Sequence, residues 1–179
     1  MTSVIVPRPI AWVSSRSAVG VDNLAPHSFF TVAGVSPPVV QFTSVGRKDS
    51  LRNIEATKEF VVCIAPESLF TQVNATATDF DNGTSEFDEV HLEREPSLRV
   101  APPRVAASPV ALECRLRQVI EVGNSFLVLG DVLHAVVRTD VLADDGLADL
   151  ARLAPLSRLG RDEWGTTPPV REITRIRVK

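Results

Sequence analysis

Residues 110–137 read VALECRLRQVIEVGNSFLVLGDVLHAVV. In the first half, Val110, Leu112, Cys114, Leu116, Ile120 and Val122 share one face, and Glu113, Arg115, Arg117 and Glu121 share the other. A period of two is the pattern of a strand with one covered and one wet face. Gly123-Asn124 supplies turn chemistry, and Ser125 to Arg138 runs back as an apolar partner. The stretch predicts a long antiparallel hairpin.

Working outward, the chain keeps a β rhythm. Its thirteen prolines and nine glycines punctuate many short apolar segments. Ile10 to Ser15 (IAWVSS) reads as a first strand, and Val39 to Val45 (VVQFTSV) as another after the Pro37-Pro38 break. Phe60 to Ile64 (FVVCI) is continuously apolar, as expected of a strand covered on both faces. A last strand is expected over Glu172 to Val178. Helices are few: Asp49 to Lys58, with Asp49 or Ser50 as its cap, Glu67 to Thr78, and Asp140 to Ala154 with Leu147, Leu150, Ala151 and Ala154 at helical spacing. The stretch from Glu93 to Ala107 reads as a surface crossing, and the whole chain, residues 1–179, as one domain. The expectation is a mainly β, closed or nearly closed antiparallel barrel with peripheral helices.

Composition narrows the function. Hydrophobic residues make up 44% and charged residues 23% of 179, with a formal net charge of −3. No basic stripe interleaved with aromatics offers a nucleic-acid surface. No run of about 18 apolar residues spans a membrane, and no signal peptide is read, so a cytoplasmic location is expected. Cys63 and Cys114 each sit in an apolar run and read as reduced core thiols. Two cysteines without clustered histidines make no zinc site. The acidic run DFDNGTSEFDE misses the spacing of a calcium loop and reads as a solvated turn. There is no GxGxxG after a strand, no Walker pattern and no GxSxG.

Two segments carry chemistry. In VGRKDSLRN (Val45–Asn53) a strand ends, a glycine turns the chain, two cations follow and a helix begins. Unpaired amides at a helix start, beside Arg47 and Lys48, form a phosphate cradle. Taken alone, the segment reads better as a capped surface helix with solvated cations, a common arrangement. In DNLAPHSFF (Asp22–Phe30) short polar side chains and a proline precede two aromatics, a makeup that suits a loop beside a planar ligand. A turn anchored by Phe29 and Phe30 is the other reading.

The order of the pieces resembles a known family. PRPIAWVSS, a glycine turn, NLAPHSFF, SPPVVQFTS, RKDSLRNI and EFVVCI are followed by PPRVAASPVALEC, the glycine hairpin, LGDVLHAVV and PLSRLG. This series, spanning nearly the whole chain, resembles the flavin reductase-like family of FMN-binding split barrels, flavoredoxins included. The resemblance implies an antiparallel Greek-key split β-barrel that binds FMN. It implies that Ser14 and Ser15 meet the ribityl chain or phosphate, and that Asn23, Ala25, Pro26, Ser28 and Phe29 run beside the isoalloxazine ring. Ser44, Lys48, Asp49, Ser50 and Asn53 match the phosphate end, with Arg47 as a neighbour. Arg158 and Trp164 match a C-terminal segment near the flavin, and His27 stands where a substrate would touch.

The activity implied is transfer of electrons from NADH or NADPH through FMN to an acceptor, for instance a monooxygenase partner. The alternatives are a flavoredoxin-like electron carrier and a barrel that binds FMN without turnover. A homodimer is implied as well. No residue is singled out as catalytic, because the flavin carries that chemistry, and His91 and His134 read as structural.

Overall fold

A computed structural model describes residues 1–81 and 83–176. In chain order its elements are β1 (Arg8–Pro9), β2 (Ala11–Arg16), β3 (Asp22–His27), β4 (Phe30–Gly34), β5 (Val39–Val45), α1 (Asp49–Thr57), β6 (Glu59–Ile64), α2 (Phe70–Ala75), α3 (Glu86–Glu89), β7 (Arg94–Glu95), β8 (Arg104–Val105), β9 (Val110–Val122), β10 (Ser125–Val137), α4 (Leu150–Leu153), β11 (Ser157–Arg158) and β12 (Trp164–Gly165). Seven strands form one antiparallel sheet in the order β3-β2-β6-β9-β10-β5-β4. Its two edge strands, β3 and β4, are consecutive in the chain. The sheet therefore rolls round, and a bond from Thr43 N–H to Phe29 C=O (2.9 Å) ties β5 to the β3–β4 corner. α1 carries the chain from β5 to β6, past the β9–β10 hairpin that lies between them. This is the mainly β split barrel with few helices that the sequence predicts.

Alternation along β2 and β6 builds two cores. Ala11 and Val13 of β2 and Phe60 and Val62 of β6 point into the barrel, where they meet Phe42, Cys114, Val128 and the Leu51 and Ile54 face of α1. Trp12, Val61 and Cys63 point the other way, into a layer closed by Val73 of α2 and Phe87 of α3. Fully burying a side chain of this size contributes about 1.5–3 kcal/mol, so the continuous FVVCI run serves both layers. Trp12 also donates its indole N–H to Thr76 Oγ1 at 2.8 Å, which fastens the end of α2. Gly130 of β10 is fixed by close approach: a Cβ there would lie 2.3 Å from Phe60 Cζ. Both cysteines are buried and free.

The hairpin forms over Val110–Val137, and Gly123 takes φ +60 at the first turn position, as a primed two-residue turn requires. Its facing differs from the simple alternation. Leu129 pairs with Gln118 and Gly130 with Leu116, leaving Arg117 as an extra residue. This bulge turns the following residues over: Val119 packs inward, while Ile120 and Val122 stand exposed. Glu113, assigned to the wet face, is fully buried. Its carboxylate accepts the N–H groups of Leu98 (2.9 and 3.0 Å) and Arg99 (2.6 Å), so it anchors the 93–107 crossing.

Other expectations are corrected. The Asp22–Phe30 segment is mostly strand β3, because Pro26 lies on the sheet edge, where a missing N–H breaks no ladder. Residues 140–154 are not one helix. Gly146 takes φ +81 in a tight turn closed by Ala143 N–H to Leu147 C=O (2.8 Å), and only α4 follows, capped by Asp149. The Glu67–Thr78 helix is a single 3-10 turn (Glu67–Leu69) followed by the short α2. Residues 172–176 form no strand, and Val178 lies outside the described residues. Among the described residues no helix is long and apolar enough to cross a membrane.

Candidate functional site

α1 starts where β5 ends. Gly46, at φ +81, turns the chain and donates its N–H to Asn124 C=O (2.9 Å). The N-cap is Lys48, and among the described residues no side chain caps the helix. Asp49 pairs instead with Arg52 three residues on, and Ser50 turns its hydroxyl to Asn23. The first amides of α1 therefore stay available to an anion.

They open onto a cavity of about 740 Å³, within the ~300–1,000 Å³ typical of ligand sites. One wall is β3 and the corner after it: Asn23, Ala25, Pro26, His27, Ser28 and Phe29. Arg47, Lys48, Asp49, Ser50 and Arg52 form the helix end. Residues 76–80 and Glu86 close a third side, and Arg8, Arg158, Leu159 and Arg161 a fourth. The fold thus brings eleven of the singled-out residues together: Asn23, Ala25, Pro26, His27, Ser28, Phe29, Arg47, Lys48, Asp49, Ser50 and Arg158.

Five others do not line the cavity. Ser14 shares the face of Trp12 on β2; it is fully buried, and its hydroxyl has no partner among the described residues. Ser15, on the opposite face, donates to Asn23 Oδ1 (3.3 Å) and accepts from Asn53 Nδ2 (3.2 Å), so both sit behind the wall. Ser44 donates to Gly46 C=O (2.9 Å) and shapes the turn before α1. Trp164 packs edge-on against Phe70 (5.2 Å) and carries the Arg158 guanidinium over its ring at 4.9 Å.

Several lining residues escape the sequence reading. Arg8 lies between two prolines with no visible role, yet it is buried and binds the carbonyls of Thr2, Ile5 (3.0 Å) and Leu159 (2.8 Å). It pins the β11–β12 turn, with Leu159 and Arg161, beside Phe29. Glu86 belongs to the acidic run read as a solvated turn, but it is buried with Phe87 on α3. Its carboxylate accepts from Asn23 Nδ2 (2.6 Å) and Leu24 N–H (2.8 Å), two donors that offset the cost of burial. The one clue in sequence is its place beside Phe87, the anchor of an apolar contact.

Electrostatically the cavity is cationic, with six Arg and Lys side chains against Asp49, Asp79 and Glu86. Lys48 pairs with Asp79 (2.9 Å) and Arg47 with Glu55 (2.6 Å), both solvent-exposed pairs of little energetic weight that an anion can displace. Burial lowers the His27 pKa to about 4, with Lys48 adding to the effect against the Thr43 carbonyl, so the imidazole is neutral at pH 7. Burial pushes the Glu86 carboxyl above its ordinary value, offset in part by the Leu24 N–H and the Asn23 amide.

The site combines an uncapped cationic helix end, suited to an anionic group, with an apolar wall of Ala25, Pro26 and Phe29, suited to a flat ring. Comparison with known proteins shows the family. The family described as flavin reductase like domain matches residues 1–153. An uncharacterized protein of Deinococcus radiodurans is 39% identical over 171 residues, covering 89% of this chain and 75% of its own. The crystal structure of nitrilotriacetate monooxygenase component B from Bacillus cereus superposes with a TM-score of 0.92 at 30% identity, covering 96% of this chain and 90% of that one. The 2-nitrobenzoate 2-nitroreductase of Pseudomonas fluorescens gives 0.89 at 28% identity, covering 97% and 87%. Barrel, cavity and sequence lead to one assignment: the chain belongs to the flavin reductase-like family.

Proposed function

We propose that the chain is one FMN-binding domain acting as an NAD(P)H-dependent flavin oxidoreductase. The observation that carries the reading is the meeting of the uncapped α1 start, Arg47 and Lys48 with the β3 wall in one cavity. In this reading Lys48, Arg47 and the first α1 amides hold the phosphate. The backbone from Asn23 to Phe29 lies along the ring, and Ser15, Ser44 and Asn53 stiffen the wall from behind. Bound FMN supplies hydride acceptance from a reduced nicotinamide and delivery of electrons to an acceptor. The chain's part is to fix the ring, keep water from it, and keep His27 neutral beside it. Arg158 and Arg161 face the same cavity and suit the anionic groups of NADH or NADPH.

A partner monooxygenase is the acceptor we favour, since one structural relative is itself component B of a monooxygenase. A flavoredoxin-like carrier is the second reading, favoured if flavin stays bound without turnover. A cytoplasmic homodimer completes the proposal. The support for the dimer is an apolar groove where Val32 and Leu133 stand exposed beside Val39, Leu112 and Ala135.

The decisive experiment is an absorption spectrum of the protein after loading with FMN and desalting, followed by NADH and then NADPH. Retained flavin bands that bleach with either nucleotide are expected. Bands that persist unbleached would replace the enzyme with the carrier, and loss of all flavin on desalting would remove tight FMN binding.

A further inference from the structure

Ser50 lies on the cavity wall, and its hydroxyl proton is already committed. The hydroxyl donates to Asn23 Oδ1 at 2.9 Å. Asn23 cannot turn over, because its Nδ2 donates to Glu86 Oε1 at 2.6 Å while Glu86 Oε2 accepts Leu24 N–H at 2.8 Å. An ionised carboxylate only accepts, so the amide carbonyl must face Ser15 and Ser50 and takes a bond from each. Ser15 in turn accepts from Asn53 Nδ2 at 3.2 Å. All five side chains are buried or half-buried, so water does not scramble these roles. The rival acceptor for the serine proton, His27 Nε2, lies farther off, at 3.5 Å against 2.9 Å for Asn23 Oδ1, so Ser50 turns the lone pairs of Oγ to the cavity it lines. A group with only lone pairs to offer repels a phosphate oxygen and welcomes a donor.

We propose that Glu86, acting through Asn23, is a positioning residue that sets Ser50 to accept a hydrogen bond from a hydroxyl or ring N–H of the bound flavin, leaving the phosphate to Lys48 and the α1 amides. The inference rests on the flavin reading above. It makes Ser50 a reader of the flavin's donor groups although it sits in the first turn of α1. A glutamine at position 86 would reverse the chain of donors. Its amide N–H would meet Asn23, the Asn23 amide would turn over, its NH₂ would face Ser50, and the serine proton would be released into the cavity.

The test is a fluorescence titration of wild type, Ser50→Ala, Glu86→Gln and the double variant with three probes: FMN, riboflavin and lumiflavin. Ser50→Ala is expected to weaken FMN and riboflavin by the same factor, about tenfold for one buried hydrogen bond. Lumiflavin keeps its affinity if the donor is a ribityl hydroxyl and loses about the same factor if it is the ring N–H. Glu86→Gln should match Ser50→Ala and cause no further loss in the double variant, since both act on one contact. A loss confined to FMN, with riboflavin spared, would mean that Ser50 serves the phosphate and would overturn the proposal. Additive losses would do so too, by reducing Glu86 to a structural support. Should Glu86→Gln fail to fold, the FMN-to-riboflavin comparison in Ser50→Ala still decides. If wild type binds none of the three probes, the flavin reading itself fails.

Discussion

His27 lies on β3 with its ring 4.7 Å from Phe42 and its Nε2 near Ser50, buried on the protein side of the cavity wall. Burial holds its folded-state pKa at about 4, against roughly 6.5 in an unfolded chain. As pH falls below that unfolded value, the unfolded state takes up a proton that the native state refuses until about pH 4. Native stability contributed at neutral pH is therefore lost across this window, by up to about 3 kcal/mol at 1.36 kcal/mol per unit. Glu86, with its pKa raised, works the other way, because its native form gains a proton first. Thermal melts between neutral pH and about pH 4.5 should show wild type losing stability, and His27→Asn losing clearly less. Parallel slopes for the two proteins would show that His27 is not the group that titrates.

At the scale of elements, β9 does more than pair with its neighbours. Glu113 holds the N–H groups of Leu98 and Arg99 from beneath the crossing, and Glu59 of β6 holds Ala101 N–H at 2.8 Å. Two strand carboxylates thus hold the middle of the proline-rich crossing, residues 98–101, beyond its own short β7–β8 pairing. Glu113→Ala leaves two N–H groups without an acceptor, and we expect a loss of about 2–4 kcal/mol, with protease nicking between residues 93 and 107 well before global unfolding. Cleavage no faster than in wild type would show that the crossing is held by its packing alone. The same element marks the limit of reading a period of two. Up to Leu116 the apolar and charged residues alternate as the strand does. The extra Arg117 then inverts the sides, and nothing in QVIEV announces a bulge. Glu113 misled because an acid on a strand signals water unless a neighbouring segment brings donors, and that segment lies across the fold. Segments whose bonding is local, such as Asp49–Thr57 and the Gly123-Asn124 turn, are legible from residue order. The site was half legible for the same reason. Lys48 and the α1 start can be read from one stretch, whereas Glu86 and Arg8 reach the cavity only because α3 and β1 are brought to it in space.

At the scale of the molecule, charge is distributed against its own sum. The chain carries a formal net charge of −3, yet six cationic side chains from three separate segments line one cavity with only three carboxylates. Low-dielectric walls focus such a field, raising the local concentration of an anionic ligand and its rate of arrival. FMN is an anion through its phosphate, and riboflavin offers the same ring and ribityl chain without that charge. Association of FMN, followed by stopped-flow quenching of flavin fluorescence, should therefore slow several-fold as ionic strength rises from roughly 0.02 to 0.5 M, where the Debye length shrinks to a few ångströms. Riboflavin should arrive at a rate nearly independent of salt. Lys48→Ala should flatten the FMN dependence and leave riboflavin unchanged, because Lys48 stands at the helix end of the cavity. Equal salt slopes for the two ligands would mean that the exposed pairs Lys48–Asp79 and Arg47–Glu55 already neutralise the entrance, and that the cations shape the wall without drawing the ligand in.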